Sequence, residues 1–518
     1  MKLPSFSLPF VKKRVGGGAQ RVSNAYPVRP LLPTVIVGDI IGEYDVGLAH
    51  VVLSDFNGKG MYTVREPALN EAEQNIYSLL MEALYYSLNP IEAGDPVQYI
   101  EQTIWRVAEE MSMVDEVTKS HDALLYYIRR DSVGYGVADV LMVDDDVEEI
   151  SCTSFELPVN IVHRKQSGYD WMVTNVKYNS EDELQKYVQR LVQKAGKAIT
   201  TAVPFMDAMT KEGHRLAATL GNEISLPGSS WDVRKFPKEP LSIGNLILSR
   251  TISPLMAAYY WLLVEAKGFV MVVGPMATGK STAAGSLISL IPPDDKVVTI
   301  EDTPELMVPH AQWERLKTRT SYSATENKFD IDLFGLTKLS MRLRPDYVIV
   351  GEARGEEIST LFQAAAIGHG AISTIHGDSP EAAIVRMSAQ PLNVGKASQM
   401  LVWSYLMMNR IRLDTGLVVR RAITSKEVLQ DGTLREIFSW DARTDEISPV
   451  DAGEIVKRSY RLHSVANLKG WSQDRVGEEL NERATCLQDA VMKGKYHYRE
   501  IAEVITEFYR KKYGVKRA

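Results

Sequence analysis

The sequence is poor in cysteine. Two cysteines, Cys152 and Cys486, occur among its 518 residues, and they lie far apart along the chain. Two cysteines cannot build a disulfide framework or a four-cysteine zinc site, so the disulfide-rich secreted class of proteins is excluded. Because nothing in the chain depends on oxidation, a reducing cytoplasm is the simplest setting.

A long hydrophobic run is also missing. The most apolar region, residues 254–273, is interrupted by Glu265 and Lys267, which favours a helix followed by a core strand over a bilayer span. The basic segment 1–14 has only a short apolar run, broken by prolines, which argues against a signal peptide. We interpret this segment as part of a flexible arm; an arm that contacts a partner or an anionic membrane surface is the alternative.

The chain has no excess of positive charge. Its net charge of −7 gives no reason to expect a nucleic-acid surface, and its 45% hydrophobic content is typical of a globular protein. Strand and helix patterns are mixed up to residue 236, a proline-bracketed hinge follows at 237–240, and strands and helices then alternate in the α/β manner. The strands predicted in this second region are 269–273, 297–301, 347–351 and 371–375.

A phosphate-binding motif follows the first of these strands. Residues 274–281, Gly-Pro-Met-Ala-Thr-Gly-Lys-Ser, match the P-loop pattern, and the small apolar residues after them indicate a helix. Strand, glycine-rich turn and helix together let backbone N–H groups surround a β-phosphate. Lys280 is expected to reach the β- and γ-phosphates, and Ser281 to bind Mg²⁺. The alternative is a coincidental glycine turn.

Acidic residues end two further predicted strands. Glu301 ends strand 297–301, where it could orient water or, through water, Mg²⁺, whereas the adjacent Asp302 is equally explained as a helix cap. Glu352 follows strand 347–351 and is placed to polarise an attacking water. Gly351 stands where the commoner pattern has an aspartate, which shifts the expected metal contact to Ser281, water and Glu301.

Two histidines, His369 and His376, bracket the strand predicted at 371–375, which we expect to lie beside the P-loop strand. A neutral histidine beside a γ-phosphate can donate a hydrogen bond and sense whether the phosphate is present. A structural role for these histidines is an equal alternative, and the pair lacks further ligands at zinc spacing. Arginines also cluster around these motifs, as candidates to stabilise phosphoryl charge or as members of surface salt bridges. They are Arg215, Arg234, Arg315, Arg319, Arg342, Arg344 and Arg354.

The order of these motifs resembles that of the type II/type IV secretion ATPase superfamily, which names them Walker A, Asp box, Walker B and His box. In this sequence they are, in that order, residues 274–281, 299–302, 341–355 and 368–376. Upstream segments that resemble the N-terminal domain of the family are 149–152, 158–163, 216–220 and 231–236. The resemblance covers about residues 60–440.

The resemblance implies an α/β fold, with a RecA-like P-loop ATPase domain preceded by an α+β N-terminal domain and followed by a helical C-terminal appendage. The domains we expect are a flexible basic N-terminal arm (1–34), the α+β N-terminal domain (35–236), an interdomain linker (237–252), the RecA-like ATPase domain (253–448) and the helical appendage (449–518).

The resemblance also implies roles for individual residues. Glu352 matches the catalytic glutamate and Glu301 the Asp-box acid, which is also a candidate Mg²⁺ ligand through water beside Ser281. His369 and His376 match the His-box histidines. The candidate arginine fingers are Arg215, Arg315 and Arg319. The expected nucleotide-binding residues are Gly274, Pro275, Met276, Ala277, Thr278, Gly279, Lys280, Ser281, Thr282 and Arg234.

Family members that carry a tetracysteine zinc insert differ from this chain, which is more similar to the archaeal pilus/archaellum branch or the tight-adherence branch. The implied protein is a hexameric ATPase that uses ATP and Mg²⁺. It acts in the cytoplasm, at the inner face of the cell membrane, beneath a polytopic platform protein of a pilus or secretion system, without zinc or nucleic acid.

Three other classes remain as hypotheses. A RecA-like nucleic-acid motor, such as a conjugation ATPase, would need a local basic channel. A P-loop kinase would need an acceptor pocket and a lid, neither of which is identifiable in the sequence. A ring subunit that does not hydrolyse ATP is disfavoured, because Lys280 and Glu352 are both present.

Overall fold

The computed structural model describes residues 27–29, 31–32, 36–87, 95–166, 168–319, 330–414 and 416–514. Most of the predicted N-terminal arm (1–34) lies outside these residues. The chain forms two compact units, the first built mainly from residues up to Lys235 and the second mainly from Phe236 onward. The domain boundaries given above remain predictions.

The first unit is built on a mixed sheet, in which the described strands have the order β1-β2-β3-β6-β5-β4-β9-β8-β7. Its strands are β1 (Asp39–Val46), β2 (Ala49–Phe56), β3 (Lys59–Arg65), β4 (Val147–Cys152), β5 (Asn160–His163), β6 (Met172–Thr174), β7 (Phe205–Met209), β8 (Arg215–Thr219) and β9 (Ser230–Arg234). Its helices are α1 (Glu71–Ser87), α2 (Pro96–Glu110), α3 (Val114–Lys119), α4 (His121–Ser132), α5 (Asp139–Val143) and α6 (Glu181–Lys194).

Local sequence explains two features of this unit. Asn57 and Gly58 both have positive φ, and they join β2 to β3 as the two-residue turn that such a dipeptide favours. Helix α2 begins at Pro96 after Asp95, whose carboxylate accepts a hydrogen bond from the backbone N–H of Val97. Apolar residues of α1, α2, α3 and α4 then pack into a separate core cluster.

The second unit is built on another sheet, whose described strands have the order β12-β11-β13-β14-β10-β15-β16-β17-β18. The pairings from β12 to β15 are parallel and the remainder antiparallel. The strands are β10 (Phe269–Gly274), β11 (Val297–Glu301), β12 (Trp313–Lys317), β13 (Tyr347–Val350), β14 (Gly370–His376), β15 (Val402–Arg412), β16 (Val418–Val428), β17 (Leu434–Asp441) and β18 (Glu446–Ser448).

Helices cover both faces of this sheet. The helices are α7 (Ile243–Leu248), α8 (Pro254–Glu265), α9 (Lys280–Ile288), α10 (Leu333–Ser340), α11 (Glu357–Ala366), α12 (Pro380–Ser388), α13 (Lys396–Gln399), α14 (Ala452–Arg458), α15 (Tyr460–Lys469), α16 (Gln473–Met492) and α17 (Tyr498–Tyr513). All residues of β10, β11 and β13 are buried, as expected for central parallel strands that are apolar throughout. The predicted α/β fold class and the helical C-terminal region are confirmed.

The C-terminal helices share a hydrophobic core with α8 and the sheet rather than forming a separate body. A group of four charged side chains, which we call the C-terminal cluster, joins α16 and α17 to the end of α8. Its members are Glu265, Glu479, Arg483 and Lys512. The Arg483 guanidinium lies 2.5 Å from the Glu265 carboxylate and also contacts Glu479, which in turn contacts Lys512. None of the helices in the described part of the chain is both long enough and apolar enough to cross a membrane.

Candidate active site

The P-loop has the backbone geometry that its sequence predicts. Gly279 has φ +88°, and Ala277 also lies in the left-handed region, at φ +59°. A Cβ at Gly274 would lie 2.5 Å from the carbonyl oxygen of Met408 on the neighbouring strand β15, so only glycine fits there. The loop therefore turns sharply from the end of β10 into α9.

Helix α9 begins at Lys280 with its N-terminus at the P-loop. Gly279 is the N-cap residue, and no side chain in the described residues caps this helix end by a hydrogen bond to it. The first backbone N–H groups of a helix lack partners within the helix, and the helix dipole favours an anion there. This turn therefore fits the phosphate groups of a nucleotide.

Lys280 is held at the edge of the loop by two contacts. Its ammonium group donates a hydrogen bond to the carbonyl oxygen of Pro275 at 2.6 Å and lies 3.3 Å from Nδ1 of His376. Parallel pairing of β10 with β14 brings His376 level with Gly274, which explains why these residues meet although they are distant in sequence. The prediction that the His376 strand lies beside the P-loop strand is confirmed.

His376 also contacts Glu352. Its Nε2 lies 3.1 Å from the Glu352 carboxylate. Burial lowers the pKa of His376, and the neighbouring Lys280 charge lowers it further. A neutral ring can accept a hydrogen bond from Lys280 at Nδ1 while it donates one from Nε2 to Glu352. We call Lys280, His376, Glu352 and Arg354 the site cluster.

Arg354 holds the other oxygen of Glu352 at 2.5 Å. Burial alone would raise the pKa of Glu352, but the hydrogen bond and charge of Arg354, together with the charges of His376 and Lys280, bring it below its usual range. Glu352 is therefore ionised at neutral pH, as a group that polarises water must be. Arg354 appeared in the sequence only as one of several candidate arginines, with no assigned role.

Glu301 lies at the same edge of the sheet but is much more buried. One carboxylate oxygen accepts hydrogen bonds from the backbone N–H groups of Glu305 and Leu306. The other, Oε2, is buried without a hydrogen-bond partner among the described residues, and Nε of Arg315 lies 3.9 Å away from it. Burial raises the pKa of Glu301 to about 7. The Cγ of Glu301 would lie 3.1 Å from a Cβ at Gly351, so glycine there makes room for the Glu301 side chain.

These residues fit a magnesium ion. Ser281 is exposed at the start of α9, and the unpartnered oxygen of Glu301 is a suitable acceptor for a metal-bound water. Ser281 would hold Mg²⁺ directly and Glu301 through water, as the sequence predicts.

The structure does not bring His369 to this site. His369 directly precedes β14, whereas His376 ends the strand. Seven extended residues span about 23 Å, so the two histidines lie at opposite ends of β14. The His369 ring instead lies near Asp346, which directly precedes β13. Within this chain His369 therefore lies at the other end of β14 from His376 and outside the site cluster, and its catalytic role remains a prediction.

The predicted arginines occupy three places. Arg215 begins β8 and Arg234 ends β9, on neighbouring strands of the first sheet, and Arg234 forms a 3.6 Å ion pair with Glu149. Arg315 lies on β12, with its guanidinium over the Trp313 ring, and Arg319 forms a backbone bridge with Ile331. Of these four arginines, Arg315 lies near an acidic residue of the candidate site.

Arg420 contacts the P-loop although no sequence motif includes it. Its Nε donates a hydrogen bond to the carbonyl oxygen of Ala277 at 3.2 Å. Arg420 lies on β16, far along the chain from the P-loop. Sequence motifs therefore could not predict this contact, which depends on the order of the strands in the sheet.

Comparison with known proteins shows which family this chain resembles. A family model described as "Type II/IV secretion system protein" matches residues 161–411. The uncharacterized protein MJ0900 of Methanocaldococcus jannaschii is 28% identical over 485 residues, which cover 88% of this chain and 86% of the relative. The uncharacterized protein MJ1287 of the same organism is 38% identical over 270 residues, which cover 51% of this chain and 96% of the relative.

Solved structures include the ATPase DotB of Yersinia pseudotuberculosis. Its alignment covers 72% of this chain and 92% of DotB, with 14% identity and a TM-score of 0.42.

Proposed function

We propose that this chain, which resembles the type II/IV secretion system proteins over residues 161–411, is a secretion ATPase that hydrolyses ATP to drive the assembly of a type IV pilus-like filament or protein secretion. The single observation that best supports hydrolysis is the continuous contact from Lys280 through His376 to Glu352 beside the P-loop. It joins a phosphate-binding lysine to an ionised carboxylate, the two groups that attack of water on a phosphoanhydride requires.

The site cluster accounts for each part of the reaction. Backbone N–H groups of the P-loop bind the phosphate chain, and the Lys280 ammonium moves from the Pro275 carbonyl to the β- and γ-phosphate oxygens. Glu352 orients the attacking water and polarises it toward the γ-phosphorus. Ser281, together with Glu301 through water, would hold Mg²⁺, which would supply positive charge to neutralise the phosphate oxygens.

His376 lies between the two groups that change partners during this reaction. When Lys280 turns to a phosphate, the Nδ1 atom of His376 loses its lysine contact, while Nε2 still faces Glu352. The histidine thereby reports phosphate occupancy to the carboxylate, as a neutral imidazole with one donor and one acceptor can do.

The assembled motor is a homo-hexamer at the inner face of the cell membrane, beneath a polytopic platform protein. Its N-terminal domain supplies Arg234, and candidate fingers Arg215, Arg315 and Arg319 approach the nucleotide of the same or a neighbouring subunit. The absence of a tetracysteine insert in the sequence supports the archaeal pilus/archaellum-like or tight-adherence-like branch.

The proposal is tested by phosphate release from ATP by the purified full chain, with Mg²⁺ and with EDTA. We expect hydrolysis that requires Mg²⁺ and is lost in Lys280→Ala, because the neutral side chain cannot hold the γ-phosphate. Lys396→Ala, which changes an exposed lysine on α13, is the matched control and should behave as wild type.

Size-exclusion light scattering of the same samples, with and without ATP, tests the hexamer. Parallel reactions with anionic vesicles and with DNA distinguish a membrane-associated motor from a nucleic-acid motor. Equal hydrolysis by wild type and Lys280→Ala would contradict the assigned site, and stimulation by DNA but not by vesicles would favour the nucleic-acid motor.

A further inference from the structure

Arg420 approaches the P-loop from the side opposite to Glu352. Strand β10 lies between β14, which carries His376, and β15, which pairs with the Arg420 strand β16. Besides its hydrogen bond to the Ala277 carbonyl, Arg420 packs its Cδ 3.3 Å from the position of a Cβ at Gly279. The guanidinium therefore borders the phosphate-binding turn on the flank that the site cluster does not reach.

The hairpin that carries Arg420 extends beyond the P-loop. Strand β10 ends at Gly274, and its last pairing with β15 joins Val273 to Met407, but β15 continues to Arg412. Residues 408–412 and their partners on β16 therefore project past the edge of the sheet where the P-loop lies. Their side chains are in a position to contact a ligand that extends away from Lys280.

Like charges face each other on this hairpin. Arg420 is the direct cross-strand partner of Arg410, and both side chains are exposed. Directly opposite like charges destabilise an antiparallel pair, which an anion between or beside them relieves. The Arg420 guanidinium beside the P-loop thus favours a phosphate ligand.

The neighbouring Arg421 shows what a structural arginine looks like at the same place. Its guanidinium binds both carboxylate oxygens of Asp445, at 2.7 and 2.8 Å, and the carbonyl oxygen of Ser249. Arg420, in contrast, has no ion pair with any acidic residue in the described part of the chain, and its side chain donates a hydrogen bond to the P-loop itself. The positive charge of Arg420 is therefore available to a ligand.

We propose that Arg420 is a nucleotide-binding residue that contacts the phosphate chain at its α-phosphate end, away from the site cluster. This inference rests on the proposed function only in taking the P-loop ligand to be a nucleotide. Since the α-phosphate is common to ATP and ADP, Arg420 supports the binding of both, whereas the site cluster responds to the γ-phosphate.

The test is calorimetric titration of the full chain and of Arg420→Gln, Arg420→Lys and Arg443→Gln with three ligands. These are ADP, a non-hydrolysable ATP analogue and inorganic tripolyphosphate, each with Mg²⁺. We expect Arg420→Gln to weaken the binding of all three ligands by a similar factor, about 10-fold or more, because a charge-assisted hydrogen bond is lost. Arg420→Lys should lose less, because it keeps the charge. Arg443, exposed on the turn between β17 and β18, is the matched control.

Three results would overturn the proposal. Unchanged binding in Arg420→Gln would show that the residue does not touch the ligand, and weakening of the ATP analogue alone would place it at the γ-phosphate. Weaker binding of both nucleotides, with unchanged binding of tripolyphosphate, would mean that Arg420 contacts the nucleoside and not the phosphate chain. Because the readout is binding, a wild-type chain that binds ADP but hydrolyses no ATP would contradict the proposed motor and leave this test intact.

Discussion

The site cluster and the C-terminal cluster use the same kinds of charged residue in the second unit but hold them differently. In the C-terminal cluster, the side chains of Arg483 and Glu479 are 0% exposed, and Glu265 is 5% exposed. In the site cluster, Glu352 is 24% exposed and Arg354 58%. The buried charges of the C-terminal cluster are fixed by mutual contacts, whereas Glu352 and Arg354 face solvent and a ligand can replace their partners.

The pKa shifts follow the same division. Burial would raise the pKa of Glu265, but the charges of Arg483 and Lys469 bring it below its usual range, so the buried carboxylate stays ionised. Glu301, buried beside the site with Arg315 only at 3.9 Å, has a pKa raised to about 7. A buried carboxylate thus stays ionised where a cation makes close contact with it, and it tends to take up a proton where no cation does.

The largest expected effect comes from breaking the C-terminal cluster. Arg483→Met leaves Glu265 and Glu479 with reduced compensation in the interior, so we expect the free energy of unfolding to fall by about 3–5 kcal/mol. Arg354→Met is the matched change in the site cluster and should cost less than about 1 kcal/mol, because that pair is exposed. Denaturant unfolding followed by the fluorescence of the eight tryptophans measures both. One of them, Trp261, has its ring 5.4 Å from the Arg483 guanidinium. Equal losses would abolish the distinction between the two clusters.

A smaller effect comes from the pH dependence of Glu301. Its folded pKa lies above its ordinary value of 4.5, so between these values the folded protein binds a proton that the unfolded chain does not. Stability should therefore fall as pH rises from about 5 to 8, by about 3 kcal/mol from this group. Glu301→Gln should remove this part of the dependence, and Asp302→Asn, at the exposed neighbouring position, should not. An identical pH profile for wild type and Glu301→Gln would show that Glu301 is ionised in the folded state.

The smallest of these effects concerns the link between Lys280 and Glu352. His376→Gln keeps an amide in place of the ring but loses the two-nitrogen bridge, so we expect ATP turnover to fall about 10-fold with little change in stability. Because burial and Lys280 lower the His376 pKa, wild-type turnover should decline only at acidic pH, when the ring takes a proton and repels Lys280. The variant should lack that acidic decline. A variant whose turnover and pH profile match wild type would remove His376 from the mechanism.

The sequence allowed the central part of this picture to be predicted because neighbouring parallel strands align their ends. The apolar strands 269–273 and 371–375, together with the P-loop motif, were sufficient to place His376 beside Lys280. The same register argument, applied to the start of β14, would have placed His369 outside the site cluster. Parallel pairing brings together residues at the same end of neighbouring strands. Residues of one motif, such as His369 and His376, can lie far apart when they are at opposite ends of one strand.

Other features depended on contacts that sequence patterns do not encode. The bonds from Glu301 to the N–H groups of Glu305 and Leu306 require the loop conformation after β11. The meeting of Arg420 with Ala277 depends on where β16 lies in the sheet. The C-terminal helices have the predicted helical periodicity, but their sharing of a core with α8 is a long-range packing outcome.

The most direct test of the account is the fate of ATP on Glu352→Gln, since the amide keeps the shape of the side chain but cannot polarise water as a carboxylate does. Filter-binding of labelled ATP, followed by separation of the bound nucleotides, compares this variant with wild type and with Glu356→Gln, which changes a nearby exposed carboxylate. The account predicts that Glu352→Gln retains bound ATP and turns it over at least about 100-fold more slowly, while Glu356→Gln behaves as wild type. Conversion of bound ATP to ADP by Glu352→Gln at the wild-type rate would contradict it.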